Sequence, residues 1–222
     1  MTRAAVYSGS FNPLHIGHLA IMKYLIGEGG FDRLHLIVSP KNPLKDGISS
    51  ATGRERYQAA VEAVNRHFAT QSEMAVCGDD MPPPARGWMC EAQTGVIGTS
   101  ATSDGQRVIV DDIELDMPEP HYTIRTLDAL KEREPGTSFT FVLGSDNLAD
   151  IRRWREYTRI LLEFGVAVYP RTGFDTEAVR LDLLNENPSY KIEIINAELV
   201  NISSSEIREK KASGQDVSGW LM

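Results

Sequence analysis

The sequence is poor in cysteine, in basic residues and in long apolar runs, and each shortage removes a class of protein. Its only two cysteines, Cys77 and Cys90, are too few for a disulfide framework and lack the paired spacing of a structural zinc site. That count fits a reducing cytosol. Lys and Arg number 23 against 31 Asp and Glu, a formal net charge of -8, which speaks against a long electropositive surface for nucleic acid. Any anionic ligand must then be met by a local site. No run of about 18 apolar residues is present, so no ordinary transmembrane helix is expected. Met1 to Tyr7 carries one Arg and a short apolar strand, unlike the basic and extended apolar regions of a signal peptide. A cytoplasmic protein without membrane contact is the expectation, and homo-oligomerisation is left open.

What is present is enough for one sizeable core. With 222 residues, 41% of them hydrophobic, a single domain spanning 1–222 is expected. Short β-branched or aromatic runs mark strands at Ala4 to Ser8, Arg33 to Ser39, Met74 to Gly78, Ser138 to Gly144, Gly165 to Tyr169 and Tyr190 to Ile195, and Arg107 to Leu115 also has β character. Between them, helical periodicity covers His18 to Ile26, Gly53 to Phe68, Tyr122 to Arg133, Asn147 to Leu162 with a break, and Ser204 to Ala212. This alternation predicts an α/β fold with a doubly wound, mainly parallel sheet, whose ligands bind beyond the carboxyl ends of the strands. Met81 to Gln106, with Pro82-Pro83-Pro84 and little periodicity, reads as a peripheral loop.

The first strand runs into Ser8-Gly9-Ser10-Phe11-Asn12-Pro13-Leu14-His15-Ile16-Gly17-His18, and helical spacing then begins with Leu19, Met22, Leu25 and Ile26. Gly9 and Gly17 permit close backbone approach to a ligand, Pro13 stiffens the turn, and the helix N-terminus offers N–H groups and positive dipole to phosphate. His15 and His18 flank that end and can donate to phosphoryl oxygens as charge builds on them. Alone, such a pair favours a structural role, one ring capping the helix and the other packing on the sheet. Two histidines with no nearby Glu, Asp or Cys would also leave zinc under-ligated, so no protein-held metal site is expected. Near the other end, Ser203 and Glu206 form a capping-box pattern that starts a helix. Ser204 and Ser205 add hydroxyls there, and Arg208 can offer a bidentate fork.

The first segment resembles the GxFDPxHxGH signature of the HxGH nucleotidyltransferase superfamily, with Asn12 where Asp is commoner. Ile202-Ser203-Ser204-Ser205-Glu206-Ile207-Arg208 is similar to its ISSTxxR signature. Segments between them resemble the nicotinate mononucleotide adenylyltransferases: Ser39-Pro40-Lys41-Asn42-Pro43-Leu44-Lys45 after the second strand, Pro118-Glu119-Pro120-His121-Tyr122-Thr123 with His121 in place of the Ser of an SYT helix start, and Gly144-Ser145-Asp146 followed by Trp154. Gly214 to Met222 lacks the Pro and the apolar helix end that this family often shows.

The resemblance implies a Rossmann-like nucleotidyltransferase fold, ATP and nicotinate mononucleotide as substrates, and Mg²⁺ with the ATP. It implies His15, His18 and Arg208 as catalytic residues, with Gly9, Ser10, Phe11, Ser203, Ser204 and Ser205 also on the ATP side. Asn42, Lys45, Tyr122, Thr123, Asp146 and Trp154 then fall on the acceptor side. Chemically, Asp146 can accept from ribose hydroxyls or serve as a helix N-cap, and Trp154 can stack on a pyridine ring or lie half buried. Thr123, at a helix start, can hold a carboxylate, which favours nicotinate over nicotinamide. Two alternatives stay open: a phosphopantetheine or other acceptor on the same fold, and a nucleotide sensor that has lost turnover.

Overall fold

The computed structural model describes residues 1–40, 52–68, 107–197 and 202–222. Six strands, β1 (Thr2–Gly9), β2 (Arg33–Val38), β3 (Val108–Asp111), β4 (Thr137–Gly144), β5 (Val166–Tyr169) and β6 (Ile192–Ile194), form one sheet in the order β3-β2-β1-β4-β5-β6. Every pairing is parallel, as the alternation of strands and helices requires. The chain moves outward from β1 through β2 to β3, then returns to β4 on the other side of β1. The crevice at that reversal, beyond the carboxyl ends of β1 and β4, is where an open α/β sheet binds ligands.

Both faces of the sheet are covered, which explains why β1 reads as Ala4-Ala5-Val6-Tyr7 without polar alternation. Ala5 and Tyr7 pack with α1 (Ile16–Ile26) and α2 (Gly53–Phe68) through Ile21, Met22, Leu25, Ala60, Ala63 and Val64. Ala4 and Val6 face the other core, where α3 (Thr123–Arg133) contributes Ile124, Leu127 and Leu130. That second core also receives Leu148 of α4 (Ser145–Ala149), Ile151, and Ile160, Leu161 and Phe164.

Strand and helix positions follow the sequence closely, with differences that have local causes. β3 ends at Asp111 because that carboxylate accepts the Ile113 N–H at 3.1 Å and a turn follows. Helix α1 begins at Ile16, two residues before the expected start, with His15 in the N-cap position. The expected helix from Asn147 to Leu162 is instead α4, a single 3₁₀ turn at Ile151–Arg153, then α5 (Tyr157–Arg159) running into a π-helical turn at Ile160–Phe164. The break falls at Glu156, whose φ of 55° is left-handed and cannot continue a right-handed helix. One helix was not expected, α6 (Thr176–Glu186), capped by Asp175 accepting from the Ala178 N–H at 3.0 Å. Only Thr176 and Leu183 of α6 are buried, so it carries almost no apolar stripe to read. The last helix is α7 (Ser204–Ala212). The Met74 to Gly78 strand and the 81–106 loop lie outside the described residues.

Candidate active site

The loop after β1 is shaped by its aromatic residue. Phe11 has a φ of 42° and is 5% exposed, a left-handed conformation that costs roughly 1 to 3 kcal/mol in a residue with a side chain. Its ring repays the strain by wedging edge-on between Tyr7 and His18, with centroids 5.4 and 5.2 Å away. A Cβ on Gly9 would lie 3.1 Å from that ring. The space beside the Gly9 Cα is thus filled by the Phe11 ring. The buried Arg56 of α2 donates to the carbonyls of Ser10 at 2.6 Å, Ser39 at 2.7 Å and Pro40 at 2.7 Å. It clamps the loop after β1 to the loop after β2.

His15 and His18 are stacked at the start of α1, with ring centroids 3.7 Å apart and planes tilted by 32°. The His15 N–H donates to His18 Nδ1 at 3.2 Å. A neutral His18 that accepts at Nδ1 carries its proton on Nε2, so the ring is left with a donor pointing away from its own backbone. Burial holds the His15 imidazole down to about 4, with the Arg171 cation second. Burial, then His15, then Arg171 hold His18 well below the ordinary histidine range. Both rings are thus neutral at pH 7. Among the described residues the buried Nδ1 of His15 has no hydrogen-bond partner, an arrangement that sites awaiting a ligand tolerate.

The second signature meets the first across almost the whole length of the chain. Arg208 Nη1 donates to the Asn12 carbonyl at 2.7 Å, and the Ser204 hydroxyl donates to the Pro13 carbonyl at 3.1 Å. Ser203 caps α7 by accepting the Glu206 N–H at 3.1 Å, while the Glu206 carboxylate turns to Lys210 one turn on, at 3.1 Å. Half of the expected capping box is therefore formed. Ser205 accepts from Arg208 Nη2 at 2.9 Å. The Ser204 hydroxyl and the Nη1 arm of Arg208 thus hold the loop, while Nη2 bonds back to Ser205 within α7, and a guanidinium has further N–H groups that a ligand can use. A cavity of about 420 Å³ opens beside them, with Asn12, Pro13, Arg208 and Lys211 on its wall.

On the acceptor side, Asp146 is not a helix cap, because Gly144 holds the N-cap position of α4. Its buried Oδ1 lies 3.2 Å from Arg171 Nε, within ion-pair distance but not aligned as a hydrogen bond. Arg171 also donates its main-chain N–H to the Ser145 hydroxyl at 2.8 Å and its Nη2 to the Tyr169 hydroxyl at 3.2 Å. Gly144 makes this packing possible: a Cβ there would sit 2.4 Å from Asp146 Oδ1 and 2.8 Å from Arg171 Nε. Thr123 opens α3, with Tyr122 at its N-cap. The segment before them is pinned by Thr126 donating to the buried Glu114 carboxylate at 2.8 Å and by Arg125 donating to the Pro118 and Pro120 carbonyls at 3.0 Å. His121 Nε2 donates to the Met117 carbonyl at 3.0 Å. Trp154 is half buried, edge-on to Phe141 at 5.8 Å, and its neighbour Arg155 lies 5.3 Å over the Tyr122 ring. Tyr122 and Trp154 therefore share one face of the sheet, the face opposite α1.

Asn42 and Lys45 lie outside the described residues. Two residues were missed by sequence reasoning. Arg56 sits in Arg54-Glu55-Arg56, which reads as the polar start of an amphipathic helix. Arg171 follows the end of β5, and the position of that strand's carboxyl end beside β4 was its only available signal.

A cytidylyltransferase-like family model matches residues 6–210. A probable nicotinate-nucleotide adenylyltransferase of Bacteroides fragilis is 31% identical over 220 residues, covering 99% of this chain and 87% of that protein. One of Flavobacterium johnsoniae is 29% identical over 219 residues, covering 99% and 91%. In fold, the chain is similar to the nicotinic acid mononucleotide adenylyltransferase of Plasmodium falciparum, solved in complex with NaAD, at a TM-score of 0.66 and 20% identity over 98% of this chain and 87% of that one. With both signatures in contact at the switch point of a nucleotidyltransferase sheet, the chain belongs to the cytidylyltransferase-like family, among its nicotinate-nucleotide adenylyltransferases.

Proposed function

We propose that this protein transfers the adenylyl group of ATP to nicotinate mononucleotide, giving nicotinate adenine dinucleotide and pyrophosphate. A phosphate oxygen of the mononucleotide forms a bond to the α-phosphorus of ATP, the bond to the α–β bridging oxygen breaks, and pyrophosphate leaves. No covalent intermediate on the protein is required. The observation that carries the reading is the contact of Arg208 with Asn12 and of Ser204 with Pro13, which gathers two histidines, an arginine and two helix N-termini at one point. The relatives named above support the choice of substrates.

In this reading catalysis is positioning plus charge stabilisation. His18, neutral and protonated on Nε2, donates to the phosphoryl oxygens. His15 donates beside it, and Arg208 neutralises the charge that develops on the leaving group. The adjoining cavity, with Arg208 and Lys211 on its wall, gives the pyrophosphate room beside two cations. Ser203 and Ser205 stand at the start of α7 against the triphosphate. Asp146, held by Arg171, accepts from a ribose hydroxyl, and Tyr122, Thr123 and Trp154 meet the pyridine and its carboxylate. The groups around the histidines are donors, and Asp146 is already paired, so Mg²⁺ would take its ligands from ATP oxygens and water. Bound there, it would draw charge off the phosphates.

Pyrophosphate release, measured with ATP and each of nicotinate mononucleotide, nicotinamide mononucleotide and phosphopantetheine, tests this function. Fast release with nicotinate mononucleotide is expected. ATP binding with no release for any acceptor would establish a sensor instead.

A further inference from the structure

The segment Val217–Met222 has been given no role so far, yet Leu221 stands on the wall of the cavity beside Arg208 and the segment touches the centre of the site. Leu221 pairs antiparallel with His15, and the Met222 N–H donates to the Leu14 carbonyl at 3.4 Å. Three further anchors hold the segment in place. Met222 is 8% exposed and joins the core formed by α1 and α2. Arg66 of α2 donates to the Met222 carbonyl at 3.0 Å, and Lys210 of α7 lies 4.0 Å over the Trp220 ring.

His15 needs such support. As the N-cap residue it has an extended backbone, with φ -144° and ψ 169°: its carbonyl accepts the first helical N–H groups and its N–H donates to His18 Nδ1, but it stands outside the helical conformation that the residues after it share. Rotation there would swing the imidazole out of the stack with His18. A β-bridge holds extended backbone in place, and here the partner strand is a single residue anchored to two helices.

We propose that Val217–Met222 is a positioning strap that fixes the His15 backbone and keeps its ring stacked on His18 and out of water. The proposal rests on the reading of His15 as a phosphate donor. The side chains of Leu221 and Met222 bring no charge to His15, and Arg66 and Lys210 face the strap, Arg66 on the main-chain oxygen of Met222 and Lys210 on the Trp220 ring. The charged and titratable groups that act on the His15 ring are His18 from α1 and Arg171 from beyond β5, with Tyr7 of β1 reaching the pair through the His18 ring and Arg208 of α7 bonded to the Asn12 carbonyl three residues before it. Loosening the strap therefore acts on His15 through hydration, because burial is the main reason its imidazole stays near 4.

The test follows the His15 ring by NMR titration, together with steady-state kinetics, in the unmodified protein and in Met222→Ser, Met222→Leu and Arg66→Gln. Met222→Ser should raise the His15 midpoint by about one unit or more toward the ordinary value near 6.5. It should also lower kcat about tenfold and leave KM for ATP within about twofold. Met222→Leu should restore both, and Arg66→Gln should move both in the same direction by less. A folded Met222→Ser protein with unchanged His15 titration and unchanged kcat overturns the strap, and should that variant fail to fold, Arg66→Gln decides alone by the same two readouts. A raised midpoint with unchanged kcat supports the strap and counts against the phosphate role of His15.

Discussion

The proposed phosphate side and the proposed acceptor side of this site are fastened by different sets of bonds. On the phosphate side, Arg56, Ser204 and Arg208 reach main-chain carbonyls of Ser10, Pro13 and Asn12. On the proposed acceptor side, local carbonyl bonds from Arg125 and His121 are joined by carboxylate links, Glu114 with Thr126 and Asp146 with Arg171. A carbonyl is offered by any residue, so the first kind of anchor tolerates side-chain change along the loop. A carboxylate link fails when either partner is replaced. One architecture thus combines a phosphate cradle indifferent to several of its own side chains with an acceptor wall that depends on them.

The largest effect should come from the proposed phosphate side's exception, the histidines, whose side chains the proposed mechanism uses directly. His18→Ala should lower kcat by on the order of 10² or more, with unfolding temperature changed by only a few degrees. Near-normal turnover in that variant would end the mechanism. Gly144→Ala should come next: with its Cβ 2.4 Å from Asp146 Oδ1, the carboxylate and Arg171 must shift. Acceptor KM should rise about tenfold, as expected for displacing a substrate-positioning group by a fraction of an ångström to an ångström. KM for ATP should stay within about twofold. Equal changes in the two would show that the halves are not separable.

A smaller effect concerns pH. His15 and His18 bind protons less readily in the folded protein than in the unfolded chain, through burial first. The unfolded state therefore takes up more protons between pH 6.5 and about 4, and stability is lost as pH falls through that window. Replacing both rings should flatten the slope, as measured by denaturant midpoints across the range. Asn12→Asp should do least, keeping kcat within about threefold, because Arg208 holds that residue by its carbonyl. A large loss there would mean that the amide side chain itself serves the phosphates.

The same contrast explains what could be read from the sequence. The two loops that meet here are legible because their geometry is written in residue types with backbone consequences: Pro13, the His15/His18 spacing and the Ser203 cap all restrict the chain locally. The centre of the sheet is legible too, since β1, β2, β4 and β5 are largely apolar runs that are mostly buried. Arg56 and Arg171 are not, because each acts on partners distant in sequence and neither disturbs the local pattern. α6 was invisible for a related reason, with only Thr176 and Leu183 buried along its length. Phe11 shows the limit most clearly: its place in the signature was evident, but its left-handed backbone and buried ring depend on Tyr7 and His18 being already in position.

The central claim is that His18 and Arg208, 190 residues apart in the chain, serve one phosphate site. A double-mutant cycle on kcat with His18→Ala and Arg208→Met measures this directly. Residues that act as a unit are strongly non-additive, so the double variant should fall no more than about tenfold below the weaker single variant. A double variant whose loss equals the product of the two single losses would contradict the account.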